Sequence, residues 1–290
     1  MRAHAVAPAS TANLGPAFDA AGAALDLWNE LLVEETDAGP EVEIEGEGAA
    51  ELPRDGSHLS LRAFSLFAPV EHYRFSFVNR IPLERGLGAS AAAIALGLVA
   101  GSAVARADVP VAELLALGMT LESHADNLAA TLLGGVCLAW RDESQVRAAR
   151  IADGLPLASI LAVPAARTST ERSRTSLPPI VAHGDAAANA GFAALLGAAI
   201  AAGDAELLQH AFHDKLHEQY RAGTAPLLQK LRSAALDGVV GVTLSGSGPS
   251  VVVWTDPGRV TDVAAALERS LPDDTLVLPL RVTQEGARLR

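Results

Sequence analysis

The sequence predicts an α+β protein in two parts, residues 1–150 and 151–290. Three observations predict it. Strand-like alternation and helical apolar spacing are mixed along the whole chain. A glycine turn at residues 86–88 opens onto an alanine-rich helix, and a second glycine turn at residues 245–250 lies between two strands. A chain of 290 residues with 50% hydrophobic content can bury a large core, and at that length it divides into two domains. The formal net charge of −12 speaks against a general nucleic-acid surface or an anionic-membrane patch, so any anion has to be captured locally. Met1-Arg2-Ala3-His4 leads into no apolar signal segment and the lone Cys137 excludes an internal disulfide framework, which makes the cytoplasm the expected compartment.

The stretch Pro82–Ala105 organises the rest. Gly86-Leu87-Gly88 runs directly into Ala89-Ser90-Ala91-Ala92-Ala93, a series of good helix formers. The first N–H groups of a helix have no internal partner and sit at the positive end of its dipole. Glycines before it allow close backbone approach, which is the physics of a phosphate site. Other readings compete. Gly86–Ala105 holds twenty uncharged residues, the length of a bilayer span, but twelve are Gly or Ala and Arg85 and Arg106 flank it symmetrically. A closely packed, ligand-free helix uses small residues for the same positions. The dinucleotide pattern G-x-G-x-x-A also fits, yet Pro82, Glu84 and Arg85 separate the glycines from the preceding strand and Asp108 falls in a turn.

In chain order, His4–Pro8 reads as a short strand ended by the turn formers Ala9–Pro16. Asn13 and Asp19 then lie on or beside a loop, as ordinary turn residues or as functional ones. Asn29–Thr36, Glu41–Glu45 and Tyr73–Asn79 read as strands, and Ser57–Ala68 as a helix capped by Ser57 with Leu61, Phe64, Leu66 and Phe67 facing the core. A helix beginning at Pro110 ends in Glu122, His124, Asp126 and Asn127. These groups could hold a small polar ligand or a hard cation, or form a solvated helix end with Asp126 capping the next helix. Gly135–Trp140, Gln145–Ile151 and Leu157–Val163 read as strands. The stretch Arg167–Arg174 carries Arg167, Arg172 and Arg174, which suit an anion or an exposed loop. Helices follow at Ala186–Ala202 and Ala205–Leu216. The second ends in His210, His213 and His217, near one face but without a zinc signature. A helical segment runs on to Leu236, strands Val239–Leu244 and Val251–Trp254 flank Ser245–Ser250, and Gly258–Ser270 and Thr275–Val282 close the chain as helix and strand.

Together these stretches resemble the small-molecule kinase superfamily of galactokinase, homoserine kinase, mevalonate kinase and phosphomevalonate kinase, the GHMP kinases. Its three motifs occur in order: Ala-Pro-Ala-Ser-Thr-Ala-Asn at 7–13, Pro-x-x-x-Gly-Leu-Gly-x-Ser-Ala-Ala at 82–92 and Ser-Gly-Ser-Gly-Pro-Ser at 245–250. The run His124-Ala125-Asp126-Asn127-Leu128-Ala129 with Leu132-Leu133-Gly134-Gly135, together with Ser169–Arg174 and Tyr220-Arg221, is similar to the homoserine kinase branch. The resemblance implies an N-terminal mixed α/β domain with the phosphate loop and a C-terminal ferredoxin-like domain. It implies ATP on Pro82, Leu83, Glu84, Arg85, Gly86, Leu87, Gly88, Ala89, Ser90, Ala91 and Ala92, and Mg²⁺ between phosphate oxygens, Ser90 and Glu122. By the same resemblance Asn13, Asp19, His124, Asp126 and Asn127 surround the amine and hydroxyl of L-homoserine, Arg174 and Arg221 take its carboxylate, and Asp19 and Asn127 orient the hydroxyl for catalysis. No nucleic acid or membrane partner is implied, and a homodimer stays open. The alternatives are a GHMP kinase for another small alcohol and a non-catalytic nucleotide-binding regulator. Two positions depart from the family: Ala89 stands where relatives carry a first loop serine, and Ser57-His58-Leu59 where they commonly show Asn-Leu near the nucleotide base.

Overall fold

The computed structural model describes residues 1–143 and 145–290, without the side chains of Thr170 and Arg172. The first sheet is built on β1 (Arg2–Ala12) and the long β2 (Ala21–Glu35), paired antiparallel along their length. The outer half of β2 pairs with β4 (Tyr73–Asn79), and β3 (Glu41–Gly46) adds to β4 in parallel. The inner end of β2 pairs with β5 (Val136–Asp142), which forms a hairpin with β6 (Gln145–Ala152). One strand thus carries two partners on the same edge at different heights.

Four helices pack on this sheet: α1 (Leu59–Phe64), α2 (Ala89–Val104), α3 (Val111–Gly118) and α4 (Ala125–Leu133). Almost the whole of α2 is buried, and its glycines explain the small-residue composition. A Cβ on Gly97 would lie 2.1 Å from the Ser60 carbonyl oxygen of α1, so the two backbones approach as closely as sterics allow. The Ala-rich stretch is therefore both things the residues suggested, a core helix along its length and an open glycine turn at its start.

The second sheet has the order β10-β7-β9-β8, all antiparallel, from β7 (Ala158–Val163), β8 (Val239–Leu244), β9 (Val251–Thr255) and β10 (Leu276–Leu280). Period-two alternation divides its side chains. Ile160, Val251 and Val253 pack with α8 (Pro226–Ala234) and α9 (Val260–Ser270), whereas Leu161, Val163, Val252 and Trp254 join the larger core. Between β7 and α8 lie α5 (Thr170–Thr175), α6 (His183–Ala202) and α7 (Ala205–Ala211). By length and composition α6 could cross a bilayer; here it packs on α7. The chain ends back on the first sheet, where Arg288–Leu289 (β11) pairs with β1.

Several expectations need correction. β1 does not stop at Pro8: small residues let it run to Ala12 between β2 and helices α2 and α4. The cap of α1 is His58, whose Nδ1 accepts the Ser60 N–H at 3.2 Å, and Leu66 is exposed beyond the helix end. The helix from Pro110 ends at Gly118, so Glu122–Asn127 belongs to the approach and first turn of α4, with His124 at the cap position instead of Asp126. The arginine stretch contains the short helix α5. The three histidines do not share a face, because α7 stops at Ala211 and His217 is buried, its Nε2 2.9 Å from the Gly15 carbonyl oxygen.

Candidate active site

The three glycine- and serine-rich motifs meet at one point. Ser10 N–H donates to the Leu87 carbonyl at 3.1 Å, Ser245 Oγ to the Gly86 carbonyl at 2.7 Å, and Gly246 N–H to the Ala12 carbonyl at 3.2 Å. Gly86 and Gly88 have φ of 75° and 69°. A Cβ on Gly86 would fall 2.1 Å from the Ser245 carbonyl oxygen, and one on Gly88 2.0 Å from Ser10 Oγ. Only glycine fits either place, for its backbone angle and for the space. Gly88 is also the N-cap of α2 and supplies no capping side chain. The first rung of the helix is Ala92 N–H to the Gly88 carbonyl at 2.9 Å, which leaves the N–H groups of Ala89, Ser90 and Ala91 ahead of the ladder.

These groups border a cavity of about 560 Å³. Of the eleven residues expected to hold the nucleotide, ten line it; Ala92 does not. Ala92 is fully buried and its N–H is spent inside the helix, so that expectation is withdrawn. Arg85 is at the edge with its guanidinium pinned to the Pro164 and Ala165 carbonyls, tying the loop to the segment after β7. Arg167 is ion-paired with Glu51 at 2.7 Å and is not a free anion site, while the side chain of Arg172 lies outside the described residues.

A continuous chain of polar contacts crosses the cavity. Ser90 Oγ donates to Glu122 Oε2 at 2.9 Å, His124 Nδ1 lies 2.8 Å from Glu122 Oε1, Arg174 Nε donates to His124 Nε2 at 2.8 Å, and Arg174 NH2 donates to both Asp19 oxygens at 2.6 Å. Burial pushes the Glu122 carboxyl up, but its hydrogen bonds from His124, Ser90 and the Ser123 N–H outweigh this and hold it at about 2. His124 is raised by Glu122; donation from Arg174 to Nε2 requires its neutral form, with the proton on Nδ1. Asp126 is 3% exposed, and burial first, then the nearby Asp19 charge, push it up to about 6.

The loop between β1 and β2 is held in sparsely populated backbone: φ is 72° at Asn13 and 55° at Asp19. Asn13 fixes it, with Nδ2 donating to the Gly246 carbonyl at 2.9 Å and Oδ1 accepting the Asp19 N–H at 3.0 Å. Both ends of the amide thus serve to aim Asp19. Asn127 lines the cavity with its amide oriented by Ser10, whose Oγ donates to Asn127 Oδ1 at 2.9 Å and leaves Nδ2 as the group presented. Arg221 is 2% exposed and is lowered to about 10 by burial and by the Arg174 charge. Its NH1 bonds His217 Nδ1 at 3.0 Å and the Gly246 carbonyl at 3.1 Å, and its Nε has no hydrogen-bond partner among the described residues.

The structure therefore brings Asn13, Asp19, Ser90, Glu122, His124, Asp126, Asn127, Arg174 and Arg221 to one cavity wall. Sequence reasoning assigned no role to Ser10, although it lies within the 7–13 motif, or to Phe18, which lies outside all three motifs; neither lines the cavity. It noted His58 only as a departure. In the structure His58 and Ser60 line the same cavity, and His58 Nε2 and Ser60 Oγ are buried without a hydrogen-bond partner among the described residues. Among the described residues no group of three or more His, Cys, Asp or Glu could hold a metal by itself. Glu122 and Ser90 offer one ionised carboxylate and one hydroxyl, a set that fits Mg²⁺ only when ligand oxygens complete it.

Comparison with known proteins identifies relatives of this chain. The family model described as the GHMP kinases N terminal domain matches residues 58–135, and that for GHMP kinases C terminal matches residues 196–273. A homoserine kinase from Streptomyces coelicolor is 41% identical, covering 97% of this chain and 92% of the relative. One from Moorella thermoacetica is 40% identical over 90% and 89%. Among solved structures, homoserine kinase from Cytophaga hutchinsonii superposes with a TM-score of 0.86 at 26% identity, over 100% of this chain and 97% of the other. An L. major mevalonate kinase shares the fold at a TM-score of 0.74 and 15% identity, over 97% and 96%. The chain belongs to the GHMP kinases and, within them, to the homoserine kinase family.

Proposed function

We propose that this protein transfers the γ-phosphoryl group of ATP to the side-chain hydroxyl of L-homoserine, forming O-phospho-L-homoserine on the route to threonine. The observation that carries the reading is the meeting, in one cavity, of a free helix N-terminus with side chains of both signs. A zwitterion needs both. Arg174 and Arg221 suit its carboxylate, and Asp19 and Asp126 suit its amine. In the free protein Asp19 occupies Arg174; an incoming carboxylate takes its place there and leaves Asp19 to the ammonium.

In this reading residues 1–150 carry the nucleotide and residues 151–290 contribute the two arginines. The triphosphate lies along Gly86–Ala91, against the N–H groups of Ala89, Ser90 and Ala91. His58 and Ser60 face the base. Glu122 and Ser90 would hold Mg²⁺, which when bound neutralises charge on the phosphate oxygens. Phosphoryl transfer through a loose transition state depends mainly on positioning, so Asn127 and Asp19 serve by orienting the hydroxyl, and a strong general base is not required. The buried free Cys137 suits the reducing cytoplasm.

The test is ATP consumption with homoserine, mevalonate, galactose or no acceptor, at saturating ATP and Mg²⁺. Turnover well above blank with homoserine alone is the expected result. Preference for mevalonate or galactose, or no stimulation by any acceptor, overturns it.

A further inference from the structure

Two guanidinium groups in one cavity repel each other, and here one of them, Arg221, is buried without a direct ion pair among the described residues, with Asp19, Asp214 and Glu218 acting on it only through their nearby charge. Arg221 is bonded to a neutral imidazole nitrogen of His217 and to the Gly246 carbonyl, neither of them an anion. What Arg221 shares with Arg174 is an aromatic ring. The guanidinium carbon of Arg174 lies 5.4 Å from the centroid of Phe18, and that of Arg221 lies 5.3 Å from the same centroid. Both are within the range in which the ring quadrupole attracts a cation.

Phe18 is itself held in place. Its ring stacks on the imidazole of His217 with centroids 5.0 Å apart and an interplanar angle of 23°. His217 in turn is fixed by the Gly15 carbonyl at 2.9 Å. Phe18 is not among the residues that line the cavity, whereas both arginines are. Its ring therefore reaches a ligand indirectly, and the cavity-lining side chains it contacts are these two arginines. An acid in its place would neutralise the arginines permanently and compete with an incoming carboxylate. An aromatic face attracts the cations but accepts no strong hydrogen bond, so the N–H forks stay available.

We infer that Phe18 is a positioning residue for the acceptor's carboxylate: its ring sets the separation and aim of Arg174 and Arg221 so that both meet one carboxylate. The inference rests on the homoserine reading above. It makes the ring a determinant of acceptor choice, favouring α-carboxylate alcohols over otherwise identical alcohols that lack the group.

The experiment measures kcat and KM at saturating ATP for homoserine and for 3-aminopropan-1-ol, which is homoserine without its carboxylate, in the wild-type chain and in Phe18→Leu, Phe18→Met and Phe18→Tyr. Loss of the ring in Phe18→Leu and Phe18→Met raises the homoserine KM roughly five- to thirtyfold, with kcat within about threefold, the size expected for two cation–π contacts. The KM for ATP and the kcat/KM for 3-aminopropan-1-ol stay within about twofold, and Phe18→Tyr, which keeps the ring, behaves as wild type. A merely structural role would lower both acceptors together. An unchanged homoserine KM in whichever ring-less variant folds, equal losses for both acceptors, or a Tyr variant as poor as Leu overturns the inference. Failure of the wild-type chain to phosphorylate homoserine would instead overturn the proposed activity, and with it the ground of this inference.

Discussion

Ser90 Oγ donates to Glu122 Oε2 at 2.9 Å, joining the first turn of α2 to the segment that leads into α4. The contact keeps an ionised carboxylate beside the place where helix N–H groups are free. It also shows that Glu122 is more than a solvated acid, since it accepts from His124 and from the backbone of Ser123 as well.

Glu122→Gln should reduce turnover at least about a hundredfold, with the fold retained, because a neutral amide keeps most of the local hydrogen bonds but not the charge that suits a metal ion. The measurement is initial rate against Mg²⁺ concentration, with a thermal melt as the control. Near-wild-type turnover at saturating Mg²⁺ would remove Glu122 from the metal site.

Ser10→Ala should lower kcat about tenfold and change the KM for either substrate little. Ser10 Oγ fixes which end of the Asn127 amide faces the cavity, and loss of such a bond costs about 1 kcal/mol and frees the amide to turn. Steady-state kinetics with each substrate varied in turn decide it. A KM effect with kcat unchanged would show that the Ser10 hydroxyl acts on the glycine loop, where it packs against Gly88, and not on Asn127.

His58 is lowered to about 4 by burial and is neutral at ordinary pH. Its Nδ1 accepts the Ser60 N–H, so the proton is on Nε2, a buried donor without an acceptor among the described residues. His58→Phe should weaken ATP by about tenfold, roughly 1.4 kcal/mol, and leave inorganic triphosphate unaffected. Titration calorimetry with both ligands makes the comparison. Equal weakening of both would place His58 at the phosphates, and no change in ATP would remove it from the site.

The elements that were legible were those in which local pattern and tertiary environment agree. Tyr73–Asn79 alternates, and it is a strand with Phe75 and Phe77 buried and Arg74 exposed. The glycine turn announced itself because Gly86 and Gly88 are demanded by contacts from Ser245 and Ser10, residues of the other two motifs. What could not be read was set by distant neighbours. Ala9–Ala12 look like turn formers, but burial between the sheet partner and the helices makes small residues suitable for a strand there. Thr170–Thr175 form a helix that Ser and Thr content hides. Phe18 shows why parts of a site stay silent: its partners Arg174 and Arg221 come from the other end of the chain, and nothing next to it in sequence points to them.

Asp126 supplies the sharpest pH test. Burial raises it from 3.8 to about 6, so between pH 4 and 6 the folded protein holds a proton that the unfolded chain has released. Stability then falls as pH rises through that window, and above it the ionised carboxylate destabilises the empty protein by about 3 kcal/mol. Asp126→Asn keeps an oxygen to accept the Asn127 N–H and removes the charge. The variant should melt several degrees above wild type at pH 7.5, with the difference shrinking towards zero near pH 4. Homoserine should reverse the order of benefit: an ammonium beside Asp126 relieves the buried charge, so the ligand raises the wild-type Tm and leaves the variant's nearly unchanged. Melting curves at both pH values, with and without homoserine, separate the two effects. Equal Tm values for the two empty proteins at pH 7.5 would show that the Asp126 charge is already compensated, and its assignment to the substrate amine would lose its physical ground.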